Sequence, residues 1–292
     1  MTMSGQQFAL AAGAFEANVA EIGAGLRRYT HAGRDVTRPY GAEELAPKGC
    51  GAVLVPWPNR IRGGRYRFDG AEYQLALTEP DKGNASHGLA RWARWTAVEH
   101  GPDRVTLAID VVPQPGWPFE LRAEVTYALD AELGLSVSAR AANTGSRRLP
   151  FGMGFHPYVA TGSEPMSKIS VRLAAEERIV TDDRSIPIGR QRVAGTPYDL
   201  ANGRKLGDLR LDDAFTGLGP GRTGVEVKAP RHGARVWMDE AFGYAQLFTN
   251  EMIGGVAVEP MTCPADAFNS GDGLLVLEPG QGWAGSWGIQ PI

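Results

Sequence analysis

The sequence predicts an all-β protein built as a sandwich of large antiparallel sheets, and three observations carry that expectation. Glycine (38) and proline (20) are spread along the 292 residues without period. The runs between them alternate apolar and polar residues, the period-two signature of strands with one buried face. No stretch of about twelve or more residues repeats apolar positions at helical spacing.

In chain order, residues 105–112 read V-T-L-A-I-D-V-V, residues 121–129 L-R-A-E-V-T-Y-A-L, and residues 133–141 L-G-L-S-V-S-A-R-A. Each places its apolar side chains on one face and its polar ones on the other. Residues 235–248 and 256–261 add further strand-like segments. The loosest stretches, 163–167 and 217–224, are short enough to be loops. Repeats and low-complexity segments are absent, so residues 1–292 are read as one domain.

Composition excludes several classes of function. A formal net charge of −3 leaves no electrostatic footprint for nucleic acid or an anionic membrane. No apolar run approaches the roughly 20 residues of a membrane span, and the start of the chain lacks a basic stretch followed by an apolar one. Two cysteines, Cys50 and Cys263, are too few for a disulfide framework or a four-cysteine metal site. They read as free buried thiols of a cytoplasmic protein. The sequence contains no P-loop, no G-x-S-x-G elbow and no H-E-x-x-H. The five histidines have no metal-ligand spacing. Neither a metal nor a nucleotide cofactor is expected.

Four segments gather polar residues among glycine, proline and aromatics, where rigid β frameworks commonly build sites. They are Pro56-Trp57-Pro58-Asn59-Arg60-Ile61, then Gly83-Asn84-Ala85-Ser86-His87-Gly88 followed by Trp92 and Trp95. Gly152-Met153-Gly154-Phe155-His156-Pro157-Tyr158 is the third, and Val256-Ala257-Val258-Glu259-Pro260 the last. Proline after both His156 and Glu259 holds each on extended backbone. Alternation puts Glu259 on the face of Ala257, opposite Val256 and Val258, which leaves room beside the carboxyl for a ligand. Taken singly, His156 also reads as a hydrogen-bonded structural residue, Glu259 as a solvated carboxylate, and Asn59-Arg60 as a turn with a surface cation. Trp57, Trp92, Trp95 and Trp117 also read as core.

The ordered set of segments resembles the aldose 1-epimerase, or galactose mutarotase, family. The matching pieces are Asn59-Arg60-Ile61 with the Phe68-Asp69-Gly70 turn, Asn84-x-x-His87-Gly88, Phe155-His156-Pro157-Tyr158, Leu211-Asp212-Asp213-Ala214-Phe215, Gln246-Leu247-Phe248-Thr249, and Glu259-Pro260 with Pro264-x-Asp266-Ala267-Phe268-Asn269. Leu89 stands where the family often has a second glycine, and Pro157-Tyr158 where it often has serine-tyrosine. The resemblance implies the family's β supersandwich and a small-molecule partner, a monosaccharide, with the chain acting as a monomer or homodimer. It implies Glu259 as general base and His156 as general acid. It places His87 and Arg60 near the sugar ring oxygen, Asp212 on more distant hydroxyls, and Asn59 and Gln246 along the lining. Asp213 beside Asp212 leaves open which carboxylate faces the sugar.

The residue types suit anomer exchange. A base takes the anomeric hydroxyl proton while an acid protonates the ring oxygen; the ring opens, the bond beside the aldehyde rotates, and the ring recloses. An unperturbed histidine of pKa about 6.5 is roughly a quarter protonated at pH 7, and a nearby carboxylate is expected to raise that fraction. Trp57 or Phe248 is expected to pack on the apolar face of the sugar. Three other readings remain. A hexose-phosphate epimerase would use Arg62, Arg65 and Arg67. A non-catalytic sugar-binding module would need no proton-transfer pair. A glycoside hydrolase would use Asp212 with Glu259.

Overall fold

The computed structural model describes residues 2–250 and 253–292. Two large antiparallel sheets dominate it. One has nine strands, in the spatial order Thr96–His100, Arg104–Val111, Leu121–Asp130, Gly134–Asn143, Gly282–Pro291, Gly233–Met238, Thr223–Lys228, Ser170–Arg172 and Arg204–Lys205. The other has eight, running from Pro187–Arg192 through Glu177–Thr181, Asp212–Thr216, Tyr244–Asn250, Gly255–Met261 and Gly154–Phe155 to Val53–Leu54, with Tyr158–Ala160 also paired to Gly255–Met261. A four-stranded sheet from the first 35 residues completes the set of larger sheets. Among the described residues the one α-helix is the four-residue turn Ala267–Ser270.

The alternation read from the sequence decides which faces meet. In Gly134–Asn143, Val137, Ala139 and Ala141 are buried while Ser136, Ser138 and Arg140 are exposed. Leu121–Asp130 alternates the same way, burying Val125 and Tyr127. These side chains join one apolar cluster that also takes in Phe155, Phe215, Leu247 and Val258 from the second sheet. Phe155 lies 5.1 Å from the ring of Trp287, and that contact ties the two sheets together.

The run 235–248, read as strand-like throughout, is divided between the sheets. Gly233–Met238 belongs to the nine-stranded sheet and Tyr244–Asn250 to the eight-stranded one. The turn between them is fixed by Asp239, whose carboxylate accepts hydrogen bonds from the backbone of Ala241 (3.1 Å) and Ser286 (2.6 Å). Asp69 and Gly70 form the expected tight turn between Arg65–Phe68 and Ala71–Gln74. Both have positive φ, 48° and 76°, as a two-residue hairpin of this twist requires.

Candidate active site

The site is built on the outer face of the eight-stranded sheet. Val256 and Val258 of Gly255–Met261 point into the main core, while Ala257 and Glu259 point the other way. The ladder extends that second face sideways: Glu259 is paired with Gln246, Ala257 with Phe248, and Phe248 with Asp212. Asp212, Gln246, Phe248 and Glu259 therefore converge from three adjacent strands.

The opposing wall comes from turns. Asn59 and His87 both adopt left-handed backbone, φ 55° and 61°, a conformation for which Asn and His are enriched. The His87 amide donates to the Asn59 carbonyl at 2.7 Å, locking the two turns together. Gly88 follows because only glycine fits, since a Cβ there would lie 2.1 Å from the Val55 carbonyl oxygen. His156 enters at the end of Gly154–Phe155, its backbone held by Ala52 (3.1 Å) and Gly51 (2.8 Å).

These elements enclose a cavity of about 600 Å³ whose lining includes Asn59, Arg60, His87, His156, Asp212, Gln246, Phe248 and Glu259. At its floor, His156 Nε2 lies 3.3 Å from Glu259 Oε1. Both residues are deeply buried, at 4% and 2% exposure. The His156 ring stacks on Tyr158 (5.1 Å) and meets His87 edge-on (5.4 Å). Gln246 donates to Asp212 at 2.7 Å and accepts from Asn59 at 3.4 Å. Arg60 forks onto Glu79 with two bonds of 2.8 and 3.0 Å and donates to Asn59 Oδ1 at 3.2 Å.

Burial controls the charges. It pushes the Glu259 carboxyl well above the usual carboxylate range, with the Asp212 charge adding to the effect and Arg60 opposing it. It pushes His156 down to about 3, despite the adjacent carboxyl, and Arg91 and Arg60 act in the same direction. Burial likewise holds His87 well below the usual imidazole value, helped by His156, Arg91 and Arg60. The expectation of a more fully protonated His156 is thereby corrected: desolvation outweighs the attraction of the carboxylate. Both shifts favour the uncharged forms of the two side chains. Glu259 Oε2 and His156 Nδ1 are buried without hydrogen-bond partners among the described residues.

The structure bears on three further expectations. Trp57 is not a sugar platform. It is 2% exposed and packs beneath the site against Phe268 (5.8 Å) and Trp117 (6.3 Å), where a large ring removes more apolar surface from water than it would at a wet cavity wall. The cavity is lined instead by Phe248 and by Trp92, which is 54% exposed. Trp57→Ala is expected to cost about 3–5 kcal/mol of stability, read as a lowered urea midpoint; a loss under about 1 kcal/mol would place the ring outside the core. The second concerns the adjacent carboxylates, between which the sequence left the choice open. Asp213 is turned away and ion-paired to Arg178, so Asp212 is the one that lines the cavity. The third is that Arg62, Arg65 and Arg67 lie outside the cavity, occupied by Asp266 (3.0 Å), Gln74 (2.7 Å) and Glu72 (3.3 Å).

Glu79, Lys48, Lys82 and Arg91 also line the cavity. Sequence reasoning missed them, because none sits in a segment with a repeated or spaced pattern. Burial works against charge on Glu79, but Arg60, with Asn84 and Lys82, holds its carboxyl below the ordinary value.

A family model described as aldose 1-epimerase matches residues 6–290. The chain belongs to the aldose 1-epimerase family. Membership makes it an isomerase, and its sheets form the galactose mutarotase-like sandwich. An aldose epimerase homologue from C. elegans shares that fold at a TM-score of 0.88 and 17% identity, covering 98% of each chain. A putative aldose 1-epimerase from Escherichia coli K12 does so at 0.85 and 20% identity, covering 98% of this chain and 99% of the other. In sequence, this chain is 34% identical over 283 residues to the uncharacterized protein YihR of Escherichia coli (strain K12), 96% of this chain and 92% of that one. Human galactose mutarotase is 31% identical over 178 residues, which is 58% of this chain and 50% of its own length.

Proposed function

We propose that the protein interconverts the α and β anomers of a hexose with a free anomeric hydroxyl, of the glucose or galactose type, with Glu259 and His156 as its proton-transfer pair. The observation that carries this reading is the 3.3 Å contact between one imidazole and one carboxyl at the floor of a cavity otherwise lined by hydrogen-bonding side chains. A glycoside hydrolase would need two free carboxyls and has no part for the histidine. A binding module would have no reason to bury a proton-sharing pair.

The pair's single proton gives the reaction its symmetry. In the ion-pair form, the Glu259 carboxylate takes the proton from O1 while the C1–O5 bond breaks and O5 takes the proton from His156 Nε2. The products are the aldehyde, a neutral Glu259 carboxyl and a neutral His156, which is the protonation state that burial favours. Rotation about C1–C2 presents the other carbonyl face, and the same transfers run backwards. Asp212 and Gln246 accept and donate to hydroxyls, and Arg60, made rigid by Glu79, stabilises negative charge on sugar oxygens. Buried free Cys50 and Cys263 are consistent with a reducing compartment such as the cytoplasm.

Two-dimensional exchange NMR on equilibrated glucose and galactose tests the activity. Cross-peaks between the anomeric protons are expected to grow faster with protein, and no change for any hexose would sink the reading. The pH profile tests the proton sharing. Activity is lost on the acid side only when the pair takes a second proton, and burial has moved that step down towards 3. We therefore expect kcat/KM at pH 4 within about twofold of its value at pH 6. An acid limb centred above pH 5 in folded protein would contradict it.

A further inference from the structure

From the arrangement of charge in the cavity we infer that the preferred substrate carries an anionic group at C6, a phosphate, sulfonate or carboxylate, held by Arg91 and Lys48. This rests on the epimerase reading and adds to it the chemical class of the sugar.

A neutral hexose needs few charged partners, yet Lys48, Arg60, Lys82 and Arg91 all line the cavity. The carboxyls facing them are Glu79, Asp212 and Glu259, and burial pushes the last well above the usual carboxylate range. Two of the cations are occupied. Arg60 is forked onto Glu79, and Lys82 donates to the Ser185 hydroxyl at 2.6 Å. Arg91 and Lys48 are not: among the described residues neither has an ion pair or a side-chain hydrogen bond to protein. Arg91 lies over the Trp92 ring at 3.9 Å, and its Nε is shielded from solvent without a partner. Burial pushes Arg91 down to about 10, with Glu79 opposing, so the guanidinium is still charged at neutral pH. A partly buried, charged fork with an unmet donor has the form of a site awaiting a planar or tetrahedral oxyanion.

The position fits C6. His156 serves the ring oxygen, and C6 hangs from C5, the ring atom on the far side of that oxygen from C1. The substituent therefore falls beside His156, which serves that oxygen. Next to His156 are His87, whose ring meets it, and Gly49, where a Cβ would lie 3.4 Å from His156 Cδ2; Lys48 precedes Gly49 in the chain. The Arg91 charge acts directly on both His87 and His156. Gln246, paired with Glu259 across the ladder, and Asp212, its hydrogen-bond partner, are left for the hydroxyl-bearing carbons.

The test is anomeric exchange measured by NMR on glucose, glucose 6-phosphate, the 6-deoxy-6-sulfonate and glucuronic acid. At least one anionic sugar is expected to exceed glucose in kcat/KM by roughly ten- to a hundredfold, the scale of hydrogen bonds to a charged group. The best of the three names the anion. Arg91→Gln should lower the ratio of anionic to neutral kcat/KM about tenfold or more, chiefly through KM. Lys48→Asn, at an exposed left-handed position that Asn tolerates, should lower it without risk to folding. Glucose turned over as well as or better than every anionic sugar would overturn the inference and leave the epimerase standing. An anion preference unchanged in both variants would overturn the assignment to Arg91 and Lys48. Failure of exchange on every sugar would remove both readings.

Discussion

Glu259→Gln is expected to lower kcat for anomer exchange by about 10³-fold or more while leaving sugar affinity within roughly threefold of the wild type. The amide keeps the shape of the carboxyl and its place opposite Gln246, but it cannot take a proton from O1. A second consequence separates this from a structural role. Glu259 is held well above its ordinary value of 4.5 in the folded protein, so above that pH the native state binds more protons at this site than the unfolded chain does. Stability contributed there falls as pH rises through the window above 4.5. The variant lacks that slope. It should be more stable relative to the wild type at pH 7 than at pH 4, with the difference fading as the pH falls. Thermal melts at the two pH values, paired with exchange rates, check both halves. Retained activity would remove Glu259 from the chemistry.

His156→Asn is the second large effect, with an expected loss of about 10²–10⁴-fold in kcat and little change in KM, because protonation of the ring oxygen is needed only as the C1–O5 bond breaks. Its stability signature has the opposite sign. A histidine pushed from 6.5 to about 3 is neutral in the fold and protonated in the unfolded chain between those values. Wild-type stability at this site therefore rises with pH across that window, and His156→Asn should lose the rise. The variant is expected to be relatively most stable, compared with the wild type, near pH 4. A loss of activity with an unaltered pH dependence of stability would mean that His156 does not hold the depressed value its burial gives it.

What the sequence made legible was local. The alternation in 256–261 put Glu259 opposite Val256 and Val258, and the structure has it there because a strand's side chains can only alternate. The His87-Gly88 pair was recognisable from the family resemblance, and the structure gives its physical reason: a left-handed residue and a contact too close for any Cβ leave few residue choices. What stayed hidden depended on partners distant in the chain. Nothing near Asp213 announces that Arg178, 35 residues away, draws it from the cavity. Nothing near Arg60 announces Glu79. Trp57 was misplaced because an aromatic beside a polar turn can face either way, and only its contacts with Trp117 and Phe268 decide. The protonation of His156 was misjudged because its burial is a property of the assembled pocket, whereas the neighbouring carboxylate could be anticipated from the motif alone.

The most direct test is a crystal structure of the protein with its best hexose bound. The account predicts one pyranose in the cavity, with O1 within about 2.6–3.2 Å of the Glu259 carboxyl and the ring oxygen at the same distance from His156 Nε2. A sugar seated elsewhere, or one whose anomeric carbon points away from both side chains, would contradict it.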